Sequence, residues 1–301
     1  MQDQRLLPLH ICRRAPRISH LLFADDSLLF FKAESDQAAR IQWVLDAYAN
    51  STGQLINPVK YSMMFGTSCL QEIQDEVKNI LHVSRASFET KYLGLPTPEG
   101  RMSKGKFQSL QAKLTKKLMQ WGENHLSQGG KEVLIKAVAQ AIPTYVMGVF
   151  KLPAGLCDDL TRLVQNYWWG AENGKRRTHW MAWDRMVRPK NQGGIGFRDM
   201  RLFNQALLAR QAWRLIQYPT SLYAQVLKAK YYPNGVLTDT IFSGSGSSTW
   251  HAIEYGLELL KKGIIWRVGN GASIRTWQDP WIPRDMQLRP ISQRNRCRLN
   301  G

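Results

Sequence analysis

The amino-acid sequence predicts an α+β fold, and three observations carry that prediction. Two apolar runs of strand length within Ile18 to Phe31 flank the connection Ala24-Asp25-Asp26-Ser27, the pattern of a tight β-hairpin with acids at its turn. From Phe107 onward Phe107, Leu110, Leu114, Leu118 and Trp121 recur at three- and four-residue steps, the period of an amphipathic helix. Near the C-terminus, Ile264 to Val268 and Ser273 to Trp277 are joined by Gly-Asn-Gly-Ala, a strong turn signal between two strand-like runs.

Each element can be justified in order. Ser35 to Asn50 places Ala39, Ile41, Val44, Leu45 and Tyr48 on one helical face, with Ser35 or Asp36 as N-cap and Gly53 as the stop. A short strand around Tyr61 to Phe65, a helix around Gln71 to Leu81 and a strand over Glu89 to Leu95 follow. The helix that starts after Ser103 has a basic complement to its apolar face: Arg101, Lys104, Lys106, Lys113, Lys116 and Lys117 occur with no acid before Glu123. A second helix is expected from Gly129 toward Pro143, and a third from Gly155 to Trp169. Gly193, Gly194 and Gly196 match neither phosphate-loop spacing and read as a turn. A helix near Leu202 to Tyr218, a linker-like Ser243 to Ser248, a helix over Trp250 to Lys262 and a flexible tail from Arg284 complete the chain. The expected division is 1–100, 101–218 and 219–301.

Composition narrows the function classes. A chain of 301 residues with 44% hydrophobic and 10% aromatic content has material for a real core. It holds no apolar run long enough to span a bilayer, and its start lacks the layout of a signal peptide, so a soluble intracellular protein that is neither secreted nor membrane-bound is expected. The four cysteines, at 12, 69, 157 and 297, are far apart, and with histidines such as His20, His125 and His179 equally scattered, neither a disulfide framework nor a zinc site is expected. Net charge is +18, and it is unevenly placed: positions 1–100 hold 10 basic and 11 acidic residues, the remainder 31 and 12. A surplus of that size suits a polyanionic partner, since cations that neutralise phosphates release condensed counterions; a basic solvated surface is the other reading. Trp168, Trp169, Trp180 and Trp183, with Lys175-Arg176-Arg177 among them, fit either core packing or contacts to bases.

By spacing alone, Asp25 and Asp26 serve equally as solvated turn residues or as hard oxygen ligands of the kind Mg²⁺ takes. Phe23-Ala24-Asp25-Asp26, between hydrophobic strands, resembles the F/Y-x-D-D catalytic hairpin of reverse transcriptases, in the form typical of plant LINE-type (non-LTR) retrotransposon polymerases. Further segments match in order: Ser51 to Lys60 (STGQLINPVK) and Lys91 to Pro96 (KYLGLP), then Leu126 to Lys136 (LSQGGKEVLIK), Ala141 to Tyr145 (AIPTY), Tyr167 to Gly170 (YWWG), Gly193 to Phe197 (GGIGF) and Trp277 to Trp281 (WQDPW).

That resemblance implies a partial polymerase palm, made of the catalytic β-hairpin, a helix and strands. A basic, mainly helical thumb-like region and a small C-terminal β-hairpin would follow. It implies two-metal nucleotidyl transfer in RNA-directed DNA synthesis, with Asp25 the principal Mg²⁺ ligand and Asp26 a weaker or orienting one. Lys60 would approach the incoming dNTP. Tyr92, Leu93 and Gly94 would position the primer end, and Lys104, Lys106, Lys113, Lys116 and Lys117 would track a duplex backbone. The partners implied are an RNA template and a DNA primer, or their RNA–DNA duplex. The family supplies a further metal-binding aspartate from an earlier strand, and the only acid here before residue 18 is Asp3. The expectation is therefore a fragment that is not a competent polymerase by itself, with a non-catalytic nucleic-acid-binding remnant and a functionless product of a truncated retroelement as the alternatives.

Overall fold

Helix α1 (Ser35–Thr52) and helix α2 (Gln71–Ile80) bury Ala38, Ile41 and Val77 against one another, and Leu81 and Val83 extend the same apolar cluster. The structure, a computed structural model, describes residues 6–54, 62–83, 91–97, 102–121, 126–172, 175–176, 178–240, 242, 244, 246–272, 274–277 and 279–283. Within those residues the α+β class expected from the sequence is the class observed: helices carry most of the chain, and strands pair only as two-stranded antiparallel hairpins.

The chain divides into two compact units, Met1–Phe107 with Leu215–Gly246, and Gln108–Arg214 with Ser247–Gly301. In the first, β1 (Leu9–His10) pairs with β2 (Arg17–Ile18), and β3 (His20–Phe23) pairs with β4 (Asp26–Leu29). Leu29 and Phe31 pack against the α1–α2 cluster, as do Met63 and Phe65, so the chain leaving the hairpin is anchored. The buried stripe of α1 runs through Ala38, Ile41 and Leu45, while Ala39, Val44 and Tyr48 stay exposed. This corrects the expected face: α2 covers one side only, so the stripe in contact is narrower than the apolar arc in the sequence. The N-cap is Glu34, without a side-chain bond, and the Ser35 hydroxyl instead donates to Glu76 on α2. Gly53 ends α1 in the left-handed region, φ +72°, as a glycine C-cap does.

Two strand expectations fail in this unit. Ser62 to Phe65 is irregular: among the described residues no strand pairs with it, and Met63 and Phe65 pack on the helical core instead, while Tyr61 lies outside the described residues. Residues 91–97 are not one strand. The chain reverses at Leu93-Gly94, so that β5 (Lys91–Tyr92) pairs with β6 (Leu95–Pro96), both turn residues having positive φ, +50° and +76°. Helix α9 (Leu222–Tyr231), which the periodicity did not suggest, also belongs here, and Arg14 donates to Asn234 just beyond it at 2.5 Å.

The first unit's leading segment ends in a 3₁₀ turn, Lys104–Phe107. The second unit is helical and opens with α3 (Gln108–Gln120). Then follow α4 (Gln128–Leu134), a π-helical turn Ile135–Ala139, α5 (Thr144–Met147) and α6 (Ala154–Trp169). Leu110, Leu114 and Leu118 of α3 are buried, in the periodicity that foretold them, and Trp121 meets Tyr167 of α6 at 5.7 Å between ring centroids. Ser127 caps α4 by accepting from the Gly130 N–H. After α6 come the short pair β7 (Ala171–Glu172) and β8 (Lys175–Arg176), then α7 (Trp183–Val187) and α8 (Met200–Gln217). α10 (Ser248–Gly263) crosses α8 at Gly256, where a Cβ would lie 2.2 Å from the Leu208 carbonyl carbon.

Buried Asn204 on α8 ties this unit together: its amide donates to the Met147 and Phe150 carbonyls and its oxygen accepts from Leu152 N–H. The expected C-terminal hairpin is absent. Among the described residues of 264–277 no strand forms; instead the buried Asp279 carboxylate accepts from the Arg275 N–H and guanidinium. The Trp266 N–H donates to the Pro280 carbonyl. The tail from Arg284 lies outside the described residues.

Candidate functional site

The carboxylate pair owes its position to the register of β3 and β4. His20 faces Leu29, Leu21 faces Leu28, Leu22 faces Ser27 and Phe23 faces Asp26, leaving Ala24 and Asp25 as a two-residue turn. Ala24 has φ +48°, a conformation uncommon for a residue with a Cβ. The strain is carried at the apex of the hairpin, beside the acids. Both carboxylates are exposed, and β3 is exposed along its whole length, Leu22 at 67% and Phe23 at 63%. The expected apolar strands therefore form, yet one of them is uncovered.

Two of the sequence-derived site segments are linked electrostatically. Tyr92, in the reversed Lys91–Pro96 segment, has its phenol pKa raised by partial burial and, secondarily, by the negative charge of Asp26. The turn Leu93-Gly94 thus belongs to a short hairpin whose Tyr92 feels the charge of Asp26. Lys60 lies outside the described residues, as does Arg101. Lys106, half-buried, donates to the Thr97 carbonyl at 3.4 Å, so it is drawn onto the end of the Lys91–Pro96 segment instead of facing solvent with Lys104.

As a metal site the pair is sparse. Among the described residues no group of three or more His, Cys, Asp or Glu is gathered. Two adjacent, exposed carboxylates fit one hydrated Mg²⁺, which keeps several waters and accepts one or two carboxylates. They do not by themselves make the bridging set that a pair of ions requires.

The basic helix is a separate feature. On α3, Lys113, Lys116 and Lys117 are all exposed, opposite the buried leucines. Lys113 and Lys117 lie one turn apart, at i and i+4. Lys116 borders a shallow open depression shared with Gln108, Gln111, Ala112, Thr115, Met119 and Gln120. The outer face is therefore mixed, with cations along one flank and neutral side chains along the other, in place of a uniform positive stripe.

The downstream motifs meet as a structural clasp. Glu132 accepts from Lys136 at 2.8 Å and pairs with Lys190 at 2.7 Å, and Lys136 donates to the Ile195 carbonyl at 2.6 Å. The two lysines hold the Glu132 carboxyl below its ordinary pKa. The N–H groups of Ile195, Gly196 and Phe197 all converge on the Met186 carbonyl. Gly194 passes so close to Arg188 that a Cβ would lie 2.0 Å from its carbonyl oxygen. Phe197 is stacked by Trp183 and met edge-on by Trp168. Sequence reasoning placed Gly193–Phe197 as a turn but missed this clasp; Glu132 and Lys136 at i, i+4 were its one local signal. The described cysteines, Cys12, Cys69 and Cys157, are free thiols, and burial pushes Cys157 up to about 11, so it is no nucleophile at neutral pH. Among the described residues no helix is long and apolar enough to cross a membrane.

Two curated proteins of Arabidopsis thaliana are similar to the chain. The "Uncharacterized mitochondrial protein AtMg00310" is 36% identical over 153 residues, which are 50% of this chain and 99% of that protein. The "Putative ribonuclease H protein At1g65750" is 33% identical over 192 residues, 62% of this chain. The chain spans about a third of that longer relative, 31% of its length. No family model matches the chain.

Proposed function

We propose, for a chain that belongs to the family of the Arabidopsis mitochondrial protein AtMg00310, the role of a polymerase fragment: part of an RNA-directed DNA polymerase of a LINE-type retroelement, unable to extend a primer alone. The observation that carries this reading is the Phe23-Ala-Asp-Asp26 hairpin, with Asp25 in a strained two-residue turn and Asp26 in the strand pair beside it, Asp26 adding to the raised pKa of Tyr92 in the Lys91–Pro96 segment. Asp25 would hold Mg²⁺ with Asp26 beside it; when bound, the ion neutralises phosphate charge and acidifies an attacking hydroxyl. Tyr92, Leu93 and Gly94 would position the primer end by backbone and packing. Lys113, Lys116 and Lys117 would contact the phosphates of an RNA–DNA duplex. The uncovered apolar strand β3 supports a fragment, because an exposed run such as Leu21-Leu22-Phe23 is the kind of surface a further polypeptide segment would bury. The longer relative's name, that of a nucleic-acid enzyme, is compatible with such a partner.

A second reading, a nucleic-acid-binding remnant without catalysis, is favoured by the sparse ligand set at the hairpin together with the +18 charge. Primer extension on an RNA template with Mg²⁺ separates the two, run on this chain and on a product extended upstream of Met1. The polymerase reading expects synthesis by the longer product alone, abolished by Asp25→Ala. Salt-dependent binding with no synthesis by either product would leave the remnant reading standing. Robust synthesis by the short chain would overturn the claim that its site is incomplete.

A further inference from the structure

The described tryptophans of the second unit range from fully buried to strongly exposed, and Trp180 lies far beyond Trp213, Trp266 and Trp277, which are 41–47% exposed. Trp168 is buried and Trp183 half-buried, both against Phe197. Trp180, three residues before Trp183, is 84% exposed, the highest exposure of any described large hydrophobic side chain. An indole left in water forgoes the apolar burial that makes tryptophan valuable in a core. Its neighbour in the chain, His179, is also exposed, and the His179 ring lies nearly parallel to Trp169 at 5.9 Å and 20°. Consecutive residues therefore present two flat rings to solvent, one of them backed by a third.

Charge identifies what these rings suit. Positions 175–190 hold Lys175, Arg176, Arg177, Arg185, Arg188 and Lys190 against the single acid Asp184; Lys190 is paired with Glu132, and Arg185 and Arg188 are both exposed. A partner with flat apolar faces carried on a polyanion is a nucleic acid whose bases are unpaired, because stacking on aromatic rings needs a free base face. A duplex offers phosphates and base edges, and those would not use an exposed indole. We propose that Trp180, with the adjoining His179–Trp169 stack, is a stacking platform for unpaired bases of single-stranded nucleic acid. The site is independent of the carboxylate hairpin and of α3, and it stands whether or not the chain takes part in synthesis.

The test is fluorescence anisotropy of the full chain with three labelled probes of equal length: oligo-dT, the corresponding abasic phosphodiester strand and a duplex. The wild-type chain should bind oligo-dT more tightly than the abasic strand. Trp180→Ala should weaken oligo-dT binding about 5- to 150-fold, the range for loss of one stacked base, leave duplex binding unchanged and leave the circular dichroism unaltered. Trp180→Phe should restore most of the affinity. Equal binding of oligo-dT and the abasic strand would overturn the platform, as would a Trp180→Ala chain that binds oligo-dT like the wild type. A variant that loses oligo-dT and duplex alike would overturn it too, since phosphate contact alone would then account for binding.

Discussion

Ala24, Glu132 and Asn204 each hold a conformation or a partner that their sequence neighbours do not reveal. Ala24 takes a left-handed φ because the β3–β4 register leaves two residues to reverse the chain, and turns of that length commonly need positive φ. Asn204 bonds one backbone N–H and two carbonyls from a buried position, and a buried polar group left unpaired costs about 1–3 kcal/mol. Glu132 leads to a pH prediction. Its carboxyl is depressed below the ordinary 4.5, first by the Lys136 hydrogen bond and then by that of Lys190. A depressed carboxyl adds stability above its unfolded pKa and loses it as pH falls through the folded value. Glu132→Gln should therefore cost about 1 kcal/mol at neutral pH, read as a lowered Tm, and the gap to wild type should close as pH drops below about 4.5. A gap that persists undiminished at about pH 3 would rule out the ion pairs as its source.

At the scale of elements, helices were legible wherever a partner buried the side that the period marked. In α3 the period and the buried leucines coincide because one continuous face is covered. In α1 they differ by a residue or so, because α2 covers a narrower stripe. The strands were less legible: pairing is non-local, and the strand-like runs at 62–65 and 264–268 stay irregular, with no described strand paired to them. The α8–α10 crossing gives a second prediction. Gly256→Ala puts a Cβ into the Leu208–Ala209 backbone and should destabilise by about 3 kcal/mol. Gly263→Ala, on the same helix with open space around it, should leave the urea midpoint nearly unchanged. Equal midpoints for the two variants would show that the helices do not meet at Gly256.

Over the whole molecule, the charge asymmetry is the property most relevant to a partner. Replacing Lys113, Lys116 and Lys117 with Gln should lower the slope of log affinity against log salt for an RNA–DNA duplex by up to about 3, near 0.9 for each phosphate no longer neutralised. Anisotropy titrations between about 50 and 200 mM salt would read it, with Asp25→Ala as a control whose slope should not change. An unaltered slope in the triple variant would remove α3 from the interface.

The sequence by itself determined the α+β class, the helices whose apolar period is covered, the hairpin that presents Asp25 and Asp26, and the concentration of positive charge after residue 100. These depend on local propensity, on a period, or on counting. Only the tertiary structure decided that Tyr92 feels the charge of Asp26 and that the Gly193–Phe197 motif closes a clasp on Glu132 and Lys136. It alone decided that Trp180 stands in solvent while Trp168 is buried. Such facts depend on which distant segments pack together, and residues of the same type at neighbouring positions are separated by contacts that no local pattern encodes.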